Sequence, residues 1–113
     1  MIFFFLDKKD IEDVKQEEKL LNIFFQDKIN RYIRQDMEKN RPINRKQYIN
    51  LKWFFDNIKG RCVECGDYFS YEVSNGKIRN CNLTGDRIDN TRSHELDNIQ
   101  PMCIPCNCAK SDH

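Results

Sequence analysis

Four of the six cysteines fall in two Cys-x-x-Cys pairs, Cys62/Cys65 and Cys103/Cys106. A two-residue gap lets both thiolates of a pair reach one ion. Four such ligands close a tetrahedral structural site of the kind zinc prefers. Gly66 follows the first pair, where a tight turn calls for positive φ. An even number of cysteines could instead form disulfides. Against that, residues 1–6 make only a short apolar run with no basic segment ahead of it, and charged residues follow at once, which does not read as a secretory signal. An intracellular chain, cytoplasmic or nuclear, is expected, and paired Cys-x-x-Cys in that setting reads as metal binding. Cys81 and Cys108 exceed the four ligands such a site needs. Cys81 is expected as a small buried strand residue and Cys108 one turn into a last helix.

Asp86, Asp89, His94 and Asn98 lie between the pairs, and Asn107 and Lys110 lie just after the second. Carboxylate and amide oxygens suit a hard divalent ion. Imidazole is the side chain that exchanges a proton closest to neutrality. Asp and Asn also serve turns and caps, so these types alone do not distinguish a site from a loop.

The chain of 113 residues carries a net charge of only +1, but the charge is unevenly placed. Residues 28–61 hold ten Lys/Arg against three acids, whereas residues 7–27 hold seven acids against four lysines. One segment can therefore face phosphates while the whole stays near neutral. Arg45, Lys46, Lys52 and Arg61 are the candidates within it. A solvated helix face would show the same run. No apolar stretch approaches a membrane span.

The elements that must position these groups read as α+β. Apolar residues at Ile11, Val14, Leu20, Leu21, Phe24, Phe25, Ile29, Tyr32, Ile33 and Met37 recur at three and four, which predicts a helix over residues 10–38. So wide a stripe needs a partner, either the next helix or a second copy of the chain. Pro42 ends it. Asn44 is the expected N-cap of a second helix reaching residue 58. Alternation over 68–73 and the Asn75-Gly76 turn predict a hairpin returning over 77–83. A polar loop over 90–97, a strand over 98–102 and a helix from residue 106, with Pro105 in its first turn, complete the chain. The expected organisation is a helical extension over residues 1–44 and a metal-stapled domain over 45–113.

Residues 50–112 resemble an HNH endonuclease domain. The likeness is carried by Cys62-x-x-Cys65, by Leu83-Thr84-Gly85-Asp86-Arg87-Ile88-Asp89-Asn90, by Asp97-Asn98-Ile99, and by Cys103-x-x-Cys106-Asn107-x-x-Lys110. The resemblance implies a treble-clef ββα-metal fold with structural zinc on Cys62, Cys65, Cys103 and Cys106. It further implies a catalytic Mg²⁺ or Mn²⁺ on Asp86 and Asn107, a loop braced by Asn98, and hydrolysis of DNA phosphodiester bonds. The family usually places a histidine after the metal-binding aspartate to deprotonate water. This chain has Arg87 there, and arginine stays protonated. Arg87 can instead clamp a phosphate, leaving His94 or Asp89 as the base, or no dedicated base at all. Lys110 joins the expected DNA contacts. The alternatives are a catalytically silent, zinc-stabilised nucleic-acid-binding module and, resting only on the N-terminal stripe, a protein-interaction adaptor.

Overall fold

A computed structural model describes residues 8–111, with side chains described over 12–110. The apolar opening over 1–6 and the Ile11 side chain lie outside the described residues. The order is α1 (Lys8–Glu38), α2 (Leu51–Asn57), β1 (Glu72–Ser74), β2 (Lys77–Arg79), β3 (Leu83–Arg87), a 3₁₀ turn (Leu96–Asn98), β4 (Ile99–Cys103) and α3 (Ile104–Ser111). The architecture is α+β, with two separate antiparallel pairs, β1–β2 and β3–β4.

The helical spacing over residues 10–38 produces one 31-residue helix. Leu21, Phe25, Ile29 and Tyr32 form its buried stripe, while Val14, Ile23 and Met37 are exposed. Phe25 stacks on Phe54 of α2 with centroids 4.7 Å apart, so the second helix is one partner of the stripe. Leu83 of β3 and Met102 of β4 join the same core. That core runs across the connection at residues 44 and 45. Asn40 adopts φ of 55° and the Arg41 N–H donates to Asp36 O, which closes the end of α1 before Pro42.

The expected second helix is shorter. Its N-cap is Asn50, whose side chain accepts from the Trp53 N–H at 2.9 Å. Asn44 instead opens a turn, accepting from Lys46 N at 3.2 Å. The reason is tertiary. Residues 48 and 49 leave the turn unwound because Ile49 N donates to His94 O and Leu96 N donates to Gln47 O, with a bridge between Tyr48 and Glu95. Pairing with a distant loop overrides local helix preference.

The expected hairpin forms around Asn75 and Gly76, both with positive φ (53° and 71°), but its strands are short. Tyr68 bridges Arg61 rather than extending β1. Asn80, with φ of 54°, ends the return strand, so residues 77–83 are not one strand. Leu83 opens β3, which pairs along its length with β4, setting Asp86 opposite Gln100 and Leu83 opposite Cys103. Among the described residues, no helix is long and apolar enough to cross a membrane.

Candidate metal centre and active-site cleft

The Sγ atoms of Cys62, Cys65, Cys103 and Cys106 all lie within 4.8 Å of one another. Those of Cys65 and Cys103 are 3.9 Å apart. A tetrahedral ion with metal–sulfur bonds of about 2.3 Å sets sulfurs about 3.8 Å apart, so the donor set fits such an ion. All six cysteines are free, and no disulfide forms. Gly66 takes φ of 77° and donates its N–H to Cys62 O, folding the first pair back on itself. The chemistry of the cluster also calls for a cation. Burial opposes ionisation of Cys62, but N–H groups of Cys103, Cys65 and Glu64 outweigh it and bring the thiol down to about 6. Cys106 is pushed up, first by its bond with Cys103. At Cys106 the neighbouring sulfurs oppose ionisation, an opposition that a bound cation would relieve. Cys81 is buried and Cys108 exposed, both outside the group.

A cleft of 620 Å³ opens beside this centre, walled by α1, β3, the loop after β3, and α3. Asp86 and Asn107 both line it. Asp86 is 6% exposed. Its Oδ2 accepts from Gln100 Nε2 at 3.0 Å and from Lys110 Nζ at 2.5 Å. Lys110 also donates to Arg87 O, tying α3 to the end of β3. Asn107 donates from Nδ2 to Thr84 Oγ1 at 3.2 Å, and Thr84 donates to Met102 O at 2.7 Å. Strand pairing therefore sets the position of both oxygen-bearing side chains.

Arg87 lines the cleft and donates to the backbone carbonyls of Asn90 and Arg92. Burial lowers its pKa, with Arg41 adding to the shift. Asn98 is buried and braces the loop: its Oδ1 accepts from Asp89 N, and its Nδ2 donates to Asp89 O and Ser93 O. Asp89 is exposed and turned to Thr91, whose hydroxyl and N–H hold its carboxylate below the usual range. It is not among the cleft-lining residues.

His94 does line the cleft, and it is 4% exposed. Its Nδ1 lies 2.8 Å from Asp36 Oδ2, and its ring stacks on Tyr32 at 4.0 Å. Asp36 is wholly buried. Its carboxylate also accepts from Tyr48 Oη at 2.5 Å, Arg41 Nε at 2.6 Å and His94 N at 3.1 Å. Burial raises the Asp36 pKa, but these hydrogen bonds outweigh it and hold the carboxyl below its ordinary value. Burial lowers the His94 pKa, with Asp36 pulling the other way.

Lys28, Arg31 and Tyr32 of α1 complete the wall. Lys28 is buried and donates to Leu83 O at 2.8 Å; burial brings its pKa down to about 8. The Tyr32 hydroxyl accepts from Gly85 N, and burial pushes its pKa up to about 12. By contrast, Arg45 and Lys46 sit exposed in the turn after α1. Lys52 pairs with Asp56, and Arg61 lies over the Tyr68 ring. None of these four lines the cleft.

Sequence reasoning missed Lys28, Arg31, Tyr32 and Asp36 as site residues. A signal was present. Lys28, Tyr32 and Asp36 follow one another at four-residue intervals, on the face that Leu21, Phe25 and Ile29 bury. Charged groups on a buried stripe are seldom there without a partner. Set against known proteins, the chain matches no family model, no curated protein and no solved structure.

Proposed function

We propose that this chain is a metal-dependent DNA endonuclease of the HNH type, with zinc on the four cysteines. The observation that supports it is the convergence of Asp86, Asn107 and His94 on one cleft that also carries Lys28, Arg31, Arg87 and Lys110. Asp86 and Asn107 offer hard oxygens, and Asp86 already attracts the Lys110 ammonium, so a Mg²⁺ or Mn²⁺ ion fits their chemistry. When bound, such an ion supplies charge neutralisation for the phosphoryl oxygens.

The chain's own residues account for the rest. Arg31, Arg87 and Lys110 draw the phosphate into the cleft. Arg87 lines the cleft with its Nη1 held by two carbonyls, and its remaining donors are the ones we assign to the phosphoryl oxygens. His94 takes a proton from the attacking water as the new P–O bond forms. The opposite P–O bond then breaks, and its oxygen takes a proton from solvent. Arg87 cannot act as the base and Asp89 lies outside the cleft, so of the candidate side chains His94 is the one we assign to the task, ahead of hydrolysis with no dedicated base.

Nicking of supercoiled plasmid with Mg²⁺ or Mn²⁺, set against EDTA and Asp86→Ala, tests the reading. Cleavage should require the ion and Asp86. The Lys110–Asp86 ion pair favours a second reading, a nucleic-acid-binding module in which Asp86 only anchors α3. Salt-sensitive DNA binding without cleavage under any divalent ion would select it.

A further inference from the structure

We infer that Asp36 is a positioning residue for the proposed hydrolysis: it holds His94 as the Nδ1–H tautomer and so presents an unprotonated Nε2 to the cleft. This rests on the nuclease reading above, and it makes α1 part of the catalytic apparatus. Apart from the His94 ring, every group that meets the Asp36 carboxylate is a donor. The Arg41 Nε–H faces Oδ1, and the Tyr48 hydroxyl, the His94 N–H and His94 Nδ1 face Oδ2. A carboxylate surrounded by donors stays ionised and can only accept, so the hydrogen between Asp36 and His94 resides on Nδ1. The lone pair is then on Nε2. Three further contacts hold the residue, two of them at the ring. Tyr32 stacks on it with planes 9° apart, Tyr48 meets its edge, and His94 O accepts from Ile49 N. Swinging the ring out of the site would therefore break its bond to Asp36 and its stack on Tyr32 together.

The charged and titratable groups around His94 are Asp36 and Tyr32 from α1, Arg41 and Tyr48 from the segment after it, and Arg87 from β3. The Tyr32 and Tyr48 pKa values are both raised, chiefly by burial, so both stay neutral through the working range. Asp36 favours the protonated imidazole, and Arg41 and Arg87 oppose it. Removing the Asp36 charge therefore shifts proton uptake by His94 to lower pH.

The test is ¹⁵N spectroscopy of the histidine ring in the full chain, with His113→Ala to assign the signals, alongside the pH profile of plasmid nicking. The wild type should show neutral His94 protonated at Nδ1. Asp36→Asn should lose that tautomer, lower kcat about 100-fold, as expected when a general base is misoriented, and move the acid limb to lower pH. A purely structural role would lower activity without moving the limb. Should Asp36→Asn fail to fold, the wild-type spectrum decides by itself: neutral His94 protonated at Nε2 overturns the proposal, as does an Asp36→Asn chain that keeps both tautomer and pH profile. An Nδ1–H tautomer in a protein that never cleaves DNA would bear out the positioning by Asp36 and overturn the nuclease reading.

Discussion

The four-cysteine centre and the cleft beside it are built in opposite ways. The centre comes from one short turn and from the junction of β4 with α3, and each brings two ligands by itself. The cleft comes from α1, β3, the loop after it and α3, and no one segment holds more than a few of its groups. A site made from local turns survives as a pattern in the sequence. A site made from packing exists only once the fold has formed. The cleft should therefore depend on the centre, and the centre should not depend on the cleft.

The sharpest way to break that asymmetry is to remove the metal. Chelation, or Cys106→Ser, should unfold residues 60–111 and abolish any DNA cleavage. The loss is large because structural zinc contributes about 10–16 kcal/mol in small domains. Circular dichroism and elemental analysis would check it, and a chain that stays folded and free of metal would refute it. Asp86→Ala should come next. On the nuclease reading, cleavage should fall by at least about a thousandfold, since an ion held there would supply several kcal/mol of charge stabilisation, with zinc content unchanged. Loss of zinc in this variant would mean that the two sites are not separable.

Smaller effects separate the cleft from the outer surface. Arg31→Gln with Arg87→Gln should lower the slope of log affinity against log salt by about two, one for each phosphate no longer neutralised. Arg45→Glu with Lys52→Glu should change that slope less, because neither residue lines the cleft. A larger effect from the second pair, in filter binding across a salt series, would move the DNA path to the outer run. The smallest expected change is at the caps. Asn50→Ala should cost about 1 kcal/mol of stability by denaturant titration, as cap losses usually do, and Asn44→Ala should cost clearly less.

What can be read in advance follows the same division. The cysteine pairs, the Asn75-Gly76 turn and the long helical stripe depend on neighbours within a few residues, and each forms as its spacing implies. The Asn44 cap does not form, because the loop at His94 pairs with the backbone at Gln47, Tyr48 and Ile49 and stops the turn from continuing as a helix. Asp36 escapes notice for a related reason. In sequence it is an ordinary acid near the end of a helix, and its partners Tyr48 and His94 stand 12 and 58 positions away. His94 reads as one of two candidate bases, and nothing local separates it from Asp89.

One backbone stretch, β4 into α3, carries Cys103, Cys106, Asn107 and Lys110 in succession. A helix of eight residues has too few turns to hold its own orientation. Its angular phase is therefore indexed by the two cysteines at its start. Inserting a single residue between Cys106 and Asn107 would leave all four thiols in place. It would also rotate everything beyond by about 100°, turning Asn107 off Thr84 and Lys110 off Asp86 like a key cut one notch out.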